Sequence, residues 1–302
     1  MFQALYPEAV ALNLNLLRSF WHVAQAGSVS GAQQTAFVSQ PALSKAVREL
    51  EAQVGTALFE RGARGVTLTE AGQSLQAYAS AIFGLERDAE DALRAAQTPE
   101  GSTLRIGAST TIATYVLPPL LARFKARFPG ARFSLARDNS AGIAARLRAF
   151  ELDVALVEGP SHDPKIEATF WRDEELVLIC APAHPLAKRD ASWEELRAYG
   201  WLVRERGSGT REVVENALAP FGLPPETALE IGGAETLKQA VASNLGIAFT
   251  SREAAADQLE WGKLSLISPP DFALRRAFYR LHLPGRPISP AARAFEALLL
   301  AG

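Results

Sequence analysis

Ser28-Val29-Ser30-Gly31-Ala32-Gln33-Gln34-Thr35-Ala36-Phe37-Val38-Ser39-Gln40-Pro41-Ala42-Leu43-Ser44-Lys45-Ala46-Val47-Arg48-Glu49-Leu50-Glu51 is the stretch on which the fold turns. It reads as two short helices joined by a tight turn. The second has a strong start signal: Ser39 can cap free amides, and Pro41, in the first turn, has no amide to leave unsatisfied. Leu43, Ala46, Val47, Leu50 and Val54 then recur at threes and fours, which makes one apolar stripe. The opposite face carries Gln40, Pro41, Ser44, Lys45 and Arg48. A short helix, apolar behind and rich in donors in front, fits the major groove of a duplex. There its hydroxyls, amide and cations reach base edges and phosphates.

Working outward, residues 13–26 have helical spacing and form a supporting helix that Gly27 ends. Downstream, Phe59-Glu60-Arg61-Gly62-Ala63-Arg64-Gly65-Val66-Thr67-Leu68 reads as a short hairpin with glycines at its turn. The order of Phe20, Val23, Ala24, Gly27-Ser28, Ala32, Ser39-Gln40-Pro41-Ala42-Leu43-Ser44, Leu50-Glu51, Gly55, Leu58-Phe59-Glu60-Arg61 and Leu68-Thr69-Glu70-Ala71-Gly72 resembles the LysR-type transcriptional regulators. Gln33 and Ala36 depart from that pattern, where an alanine and a leucine are usual. The resemblance implies a winged helix-turn-helix over residues 1–69. Ser28, Ser30, Ser39, Gln40, Pro41, Ser44, Lys45, Arg48, Arg61 and Arg64 are its candidate DNA-binding residues. Gln40, Pro41 and Ser44 would read bases, while Lys45, Arg48 and the wing arginines would hold the backbone. Arg64 can equally be a solvated loop residue.

Charge supports this only through placement. The chain carries a net −2, and residues 1–69 hold five Lys/Arg against four acids, yet Lys45, Arg48, Arg61 and Arg64 cluster in or just after the motif. A single cysteine, Cys180, excludes internal disulfides and zinc clusters, and its apolar surroundings make it a buried bystander. No charged-then-apolar leader and no bilayer-length apolar run are present, so a soluble cytoplasmic protein without membrane contact is expected.

Thr69 caps a long amphipathic helix over residues 70–96, with Leu75, Tyr78, Ala79, Ile82, Leu85 and Ala89 on one side. The resemblance makes it the linker through which two subunits pair in an antiparallel-type dimer. Residues 97–102, polar with Pro and Gly, form a hinge. Strands and helices then alternate in a βαβ pattern with a parallel sheet. An α/β fold overall is expected. Its C-terminal part is a two-lobed effector domain of the periplasmic-binding-protein kind, with lobe I at 103–172 and 276–302 and lobe II at 173–275.

In open α/β lobes ligands bind beyond the strand ends, against helix N-termini. Ser109, Thr110 and Thr111 follow the first strand, Asn139 and Ser140 the second. The run Arg204-Glu205-Arg206-Gly207-Ser208-Gly209-Thr210-Arg211 lies in the other lobe. The candidate effector residues are therefore Ser109, Thr110, Thr111, Asn139, Ser140, Arg204, Ser208, Thr210 and Arg211. Arg204 serves either as a ligand donor or as an ion-pair partner of Glu205 or Glu158. Ala108-Ser109-Thr110-Thr111-Ile112, Leu117-Pro118, Glu158-Gly159-Pro160, His184-Pro185-Leu186-Ala187 and the Arg204–Arg211 run resemble the regulators of carbon fixation or sulfur assimilation. That subgroup implies a small anionic effector. Asp138 departs from the glycine usual before Asn139.

The four histidines are scattered, and no nucleophile–base array or phosphate-cradling Gly-Lys-Ser/Thr occurs. No catalytic residue, cofactor or metal is expected. The reading is a regulator that binds an interrupted inverted repeat of double-stranded DNA as a homodimer assembling to a homotetramer, with RNA polymerase as a further partner. The alternative is a cytoplasmic solute-binding protein without DNA binding.

Overall fold

The computed structural model describes residues 11–62, 65–97, 103–159 and 161–301. Arg64 and, of the hinge expected at 97–102, residues 98–102 lie outside them. The chain divides into two compact units, at Asp88 and Ala89.

In the first unit, α1 (Leu14–Ala26) starts where Asn13 Oδ1 accepts from the amides of Asn15 and Leu16, and ends where Gly27 adopts φ +62°. Next come α2 (Val29–Ala36), α3 (Gln40–Val54) and a two-stranded antiparallel wing, β1 (Phe59–Gly62) and β2 (Gly65–Leu68). Leu17, Phe20, Leu50 and Leu58 form one side of the core, and Val23, Ala32, Leu43 and Val47 the other. Each of these buried Leu, Val and Phe side chains contributes roughly 1.5–3 kcal/mol. One expectation changes. Ser39 stands at the N-cap of α3, but its hydroxyl makes no capping bond. The linker helix, α4 (Glu70–Gln97), shares the core of this unit. Ala79 and Phe83 are buried against α1, and Trp21 Nε1 donates to Ser80 Oγ at 3.1 Å.

The second unit is built on one sheet. Its strands are β3 (Thr103–Ser109), β4 (Arg132–Asp138), β5 (Val154–Glu158), β6 (Glu167–Cys180), β9 (Ala248–Ser251), β10 (Ser265–Ile267) and β11 (Leu274–His282). They run in the order β10-β6-β11-β5-β3-β4, with β9 also on β6. A small parallel pair, β7 (Leu202–Arg204) with β8 (Leu229–Ile231), joins through a bridge between Trp201 and Ile247. The helices are α5 (Leu117–Arg127), α6 (Ser140–Arg148), α7 (Trp193–Arg197), α8 (Gly209–Leu218), α9 (Ala234–Ala242), α10 (Arg252–Glu260) and α11 (Pro290–Leu300).

The sheet is mixed, not parallel: β3 pairs in parallel with β4 and β5, whereas β11 runs antiparallel to β5 and β6. The lobe boundary expected between residues 172 and 173 falls within a single strand, β6. That strand is 14 residues long and its first half is mostly exposed, so no continuous apolar run announces it. Alternation along β6 supplies two cores in its second half. Leu176, Leu178 and Cys180 pack with Trp201 and Phe249, while Val177 and Ile179 pack with Leu237 and Val241. The strands near β3 do the same with Phe124 and Phe295 on one side and Ile143 and Leu147 on the other. Burial pushes the Cys180 thiol up to about 11, so it stays a neutral thiol. Among the described residues no helix is long and apolar enough to cross a membrane.

Candidate DNA-reading face and effector cleft

In the first unit, Leu43, Val47 and Leu50 hold α3 in place and turn Gln40, Pro41, Lys45 and Arg48 to solvent. Lys45 makes only a loose pair with Glu49, 3.6 Å away. Glu51 Oε1 accepts from the amides of Leu58 and Phe59 at 2.8 and 3.2 Å, which fixes the wing to the recognition helix. The wing is tied again where Val66 N donates to Gly27 O at 3.3 Å. Ser28 caps α2 by accepting from Gly31 N at 3.0 Å. Between α2, α3 and β2 lies a concavity of about 400 Å³ whose lining includes Ser28, Ser30, Gln40, Ser44 and Arg48. Five of the sequence-chosen residues thus share one hollow, while Ser39 and Pro41 are exposed and do not line it. Arg61 lies on β1 opposite Val66.

In the second unit the chosen residues split into two sets. The first builds a buried polar knot. Thr210 Oγ1 donates to Glu158 Oε2 at 2.9 Å and accepts from Arg276 Nη1 at 2.5 Å. Arg276 lies 3.0 Å from Glu158 Oε2, and its Nε donates to Glu174 Oε2 at 2.7 Å. Ser251 Oγ donates to the other oxygen of Glu174. Burial raises the Glu158 pKa, but the fields of Arg276 and Arg204, with hydroxyls from Thr111 and Thr210, bring it below the usual carboxylate range. For Glu174, burial outweighs Arg276 and the carboxyl is held above it.

Other contacts draw the strand ends together. Ser140 Oγ donates to Glu158 O at 2.9 Å, Asn139 Nδ2 to Arg206 O at 3.2 Å, and Ala141 N to Gly207 O at 3.2 Å. Thr110 Oγ1 donates to Asp138 O at 3.3 Å. Both arginines chosen as donors are already engaged. Arg204 forks onto Glu205 with two contacts of 2.8 Å, and Arg211 reaches Glu215 at 2.7 Å and Glu230 at 2.5 Å. The ion-pair reading of Arg204 is therefore the one the geometry supports.

The second set is what remains. Ser109 and Ser208 are buried, and neither hydroxyl has a hydrogen-bond partner among the described residues. Ser208 is also the N-cap of α8 and makes no capping bond, so the first amides of that helix and this hydroxyl stand together. A cavity of about 750 Å³ opens beside Ser208, its lining also including Ser140, Gly209 and Arg211.

Sequence reasoning missed Arg276, Glu174 and Ser251. The available signal was alternation: Leu274, Arg276 and Phe278 share the inward face of β11, and Glu174 shares that of Leu176 on β6. A charge at an inward strand position marks a buried partner.

Residues 14–73 match the bacterial regulatory helix-turn-helix protein, lysR family, and residues 97–302 match the LysR substrate binding domain. The chain belongs to the LysR family of transcriptional regulators. The HTH-type transcriptional regulator YeiE of Escherichia coli (strain K12) is 35% identical over 284 residues, spanning 94% of this chain and 96% of that one. The RuBisCO operon transcriptional regulator of Allochromatium vinosum is 34% identical over 290 residues, spanning 96% of each. Among solved structures, the CcmR regulatory domain of Synechocystis PCC6803, in complex with 2-PG, is 30% identical. It covers 66% of this chain and 96% of that one, with a TM-score of 0.61. The LysR assignment thus rests on both units, and relatives on the carbon-fixation side carry the subgroup resemblance.

Proposed function

We propose that this LysR-type regulator reads an interrupted inverted repeat through Gln40, Pro41 and Ser44, and that a small anionic effector in the second unit modulates that binding. The observation that carries it is the convergence of Ser28, Ser30, Gln40, Ser44 and Arg48 on one hollow beside the wing. Lys45, Arg48, Arg61 and Arg64 are its phosphate contacts. The effector's anionic group takes the two unpartnered hydroxyls, Ser109 and Ser208, with the amides opening α8. Lobe I comprises residues 103–172 and 276–302 and lobe II residues 173–275. The protein acts in the cytoplasm as a dimer of dimers, without catalysis. Kinship with a RuBisCO operon regulator and with a domain solved with 2-PG supports a small effector.

Binding of the purified chain to its own upstream DNA, titrated with salt, tests the first half. Arg48→Ala is expected to weaken specific and unrelated sequences alike and to reduce the log–log salt slope by about one. A change of preference at one base with the slope intact overturns that role, and a folded chain that binds no DNA at low salt overturns the regulator reading. For the second half, a melting-point screen of sulfite, phosphate esters and carboxylates is expected to find an anion that stabilises the wild type and loses its shift in Ser208→Ala. An undiminished shift in that variant removes Ser208 from the site.

A further inference from the structure

Phe37 stands out in the first unit on two separate counts. It is 94% exposed and makes no ring contact among the described residues. It also sits at φ +53°, ψ 32°, the left-handed conformation that closes α2. Glycine or asparagine is the usual choice there, and a bulky side chain adopts it rarely. The fold alone therefore favours a residue without the ring. Its neighbours are informative: Val38 is 39% exposed, and Ser39, Gln40 and Pro41 open the recognition helix. Three residues of backbone place the Phe37 Cα within about 11 Å of that of Gln40. A strained, uncovered aromatic ring thus adjoins the end of the helix that enters the groove.

We propose that Phe37 is a further DNA-reading residue, laying its ring on a thymine methyl group in the major groove beside the bases met by Gln40. Thymine C5-methyls are the apolar feature of that groove and are read by apolar side chains, phenylalanine among them. This rests on the regulator reading above, and it adds an apolar element to a face otherwise made of hydrogen-bond donors. Strain at a functional position is retained when the contact it presents is useful.

The test uses the full chain, Phe37→Gly and Phe37→Ala, and upstream DNA made with either thymine or uracil, which lacks the methyl. Phe37→Gly is expected to melt no lower than the wild type, because glycine relieves the left-handed strain. Both variants should bind thymine DNA about tenfold more weakly, the scale of one lost base contact, with the salt slope unchanged. The uracil penalty seen with the wild type should shrink by the same factor in the variants. Variants that bind as the wild type does, or that keep the full uracil penalty, overturn the assignment. Wild type that fails to bind thymine DNA at all strikes the regulator reading, and this inference falls with it.

Discussion

Thr210 shows how much one hydroxyl carries. It accepts from Arg276 and donates to Glu158, so both of its hydrogen-bonding directions are used inside the protein. Thr210→Val keeps the shape and leaves a buried cation and a buried carboxylate each short of a partner. The expected cost is ~1–3 kcal/mol by urea unfolding, with Thr210→Ser close to wild type. An unchanged midpoint would show that the knot does not depend on this hydroxyl. Because the Glu158 pKa is lowered on folding, its ionised form stabilises the fold above its unfolded value, and that contribution is lost as pH falls through the folded one. The valine deficit should therefore shrink on acidification. At this scale the sequence was half legible. Glycines and hydroxyls before α8 announced a site, and Thr210 was among the residues picked out. That its hydroxyl would be spent inside the protein depended on Arg276, 66 positions away and inward only by virtue of the register of β11. Glu205 is a partner of Arg204 that the sequence itself suggests, and Glu215 lies one turn beyond Arg211, but Glu230 becomes a partner of Arg211 only once the chain is folded.

Among the elements, those with a 3.6-residue stripe and a cap were readable. Asn13, Ser28 and Ser192 each cap a helix, the last with Glu195 in a full capping box, and α11 opens on Pro290 as its sequence implies. What escaped was polar or short: the exposed first half of β6, the three-residue β10 and the charged α10. Their structure follows from pairing with neighbours, which no local pattern records. The start of α4 depends on closeness of a different kind. A Cβ on Gly72 would stand 2.1 Å from the Leu58 carbonyl oxygen, so this helix can lie on the wing strand only without a side chain there. Thr69 ties the same corner, its hydroxyl donating to Ala57 O at 2.8 Å while its amide donates to Leu58 O at 3.0 Å. Gly72→Ala should push helix and strand apart and cost ~1–3 kcal/mol, the usual scale of overpacking, despite alanine's better helix propensity. A melting curve of the full chain checks it. A variant as stable as wild type would mean that the corner yields at little cost.

At the scale of the whole molecule the remaining question is what covers the outer side of α4. Ala79 and Phe83 face the first unit's core, but Tyr78, Leu85 and Leu93 are 68%, 42% and 68% exposed. They stand seven and eight residues apart, the spacing of one seam on a long helix. Such a seam is stabilised by a second copy of the same helix, and a groove-reading head gains from that pairing twice. Two recognition helices reach successive half-sites, and the second contact forms at the high effective concentration set by the first. Placing lysines at Leu85 and Leu93 sets like charges against each other across that seam while leaving Phe83 and its core untouched. The double variant is expected to sediment as a smaller species than wild type at equal concentration. It should bind the intact inverted repeat far more weakly while holding a single half-site about as well as before. Unchanged sedimentation together with unchanged affinity for the full repeat would place the dimer contact elsewhere, and would leave the apolar side of α4 without its assigned occupant.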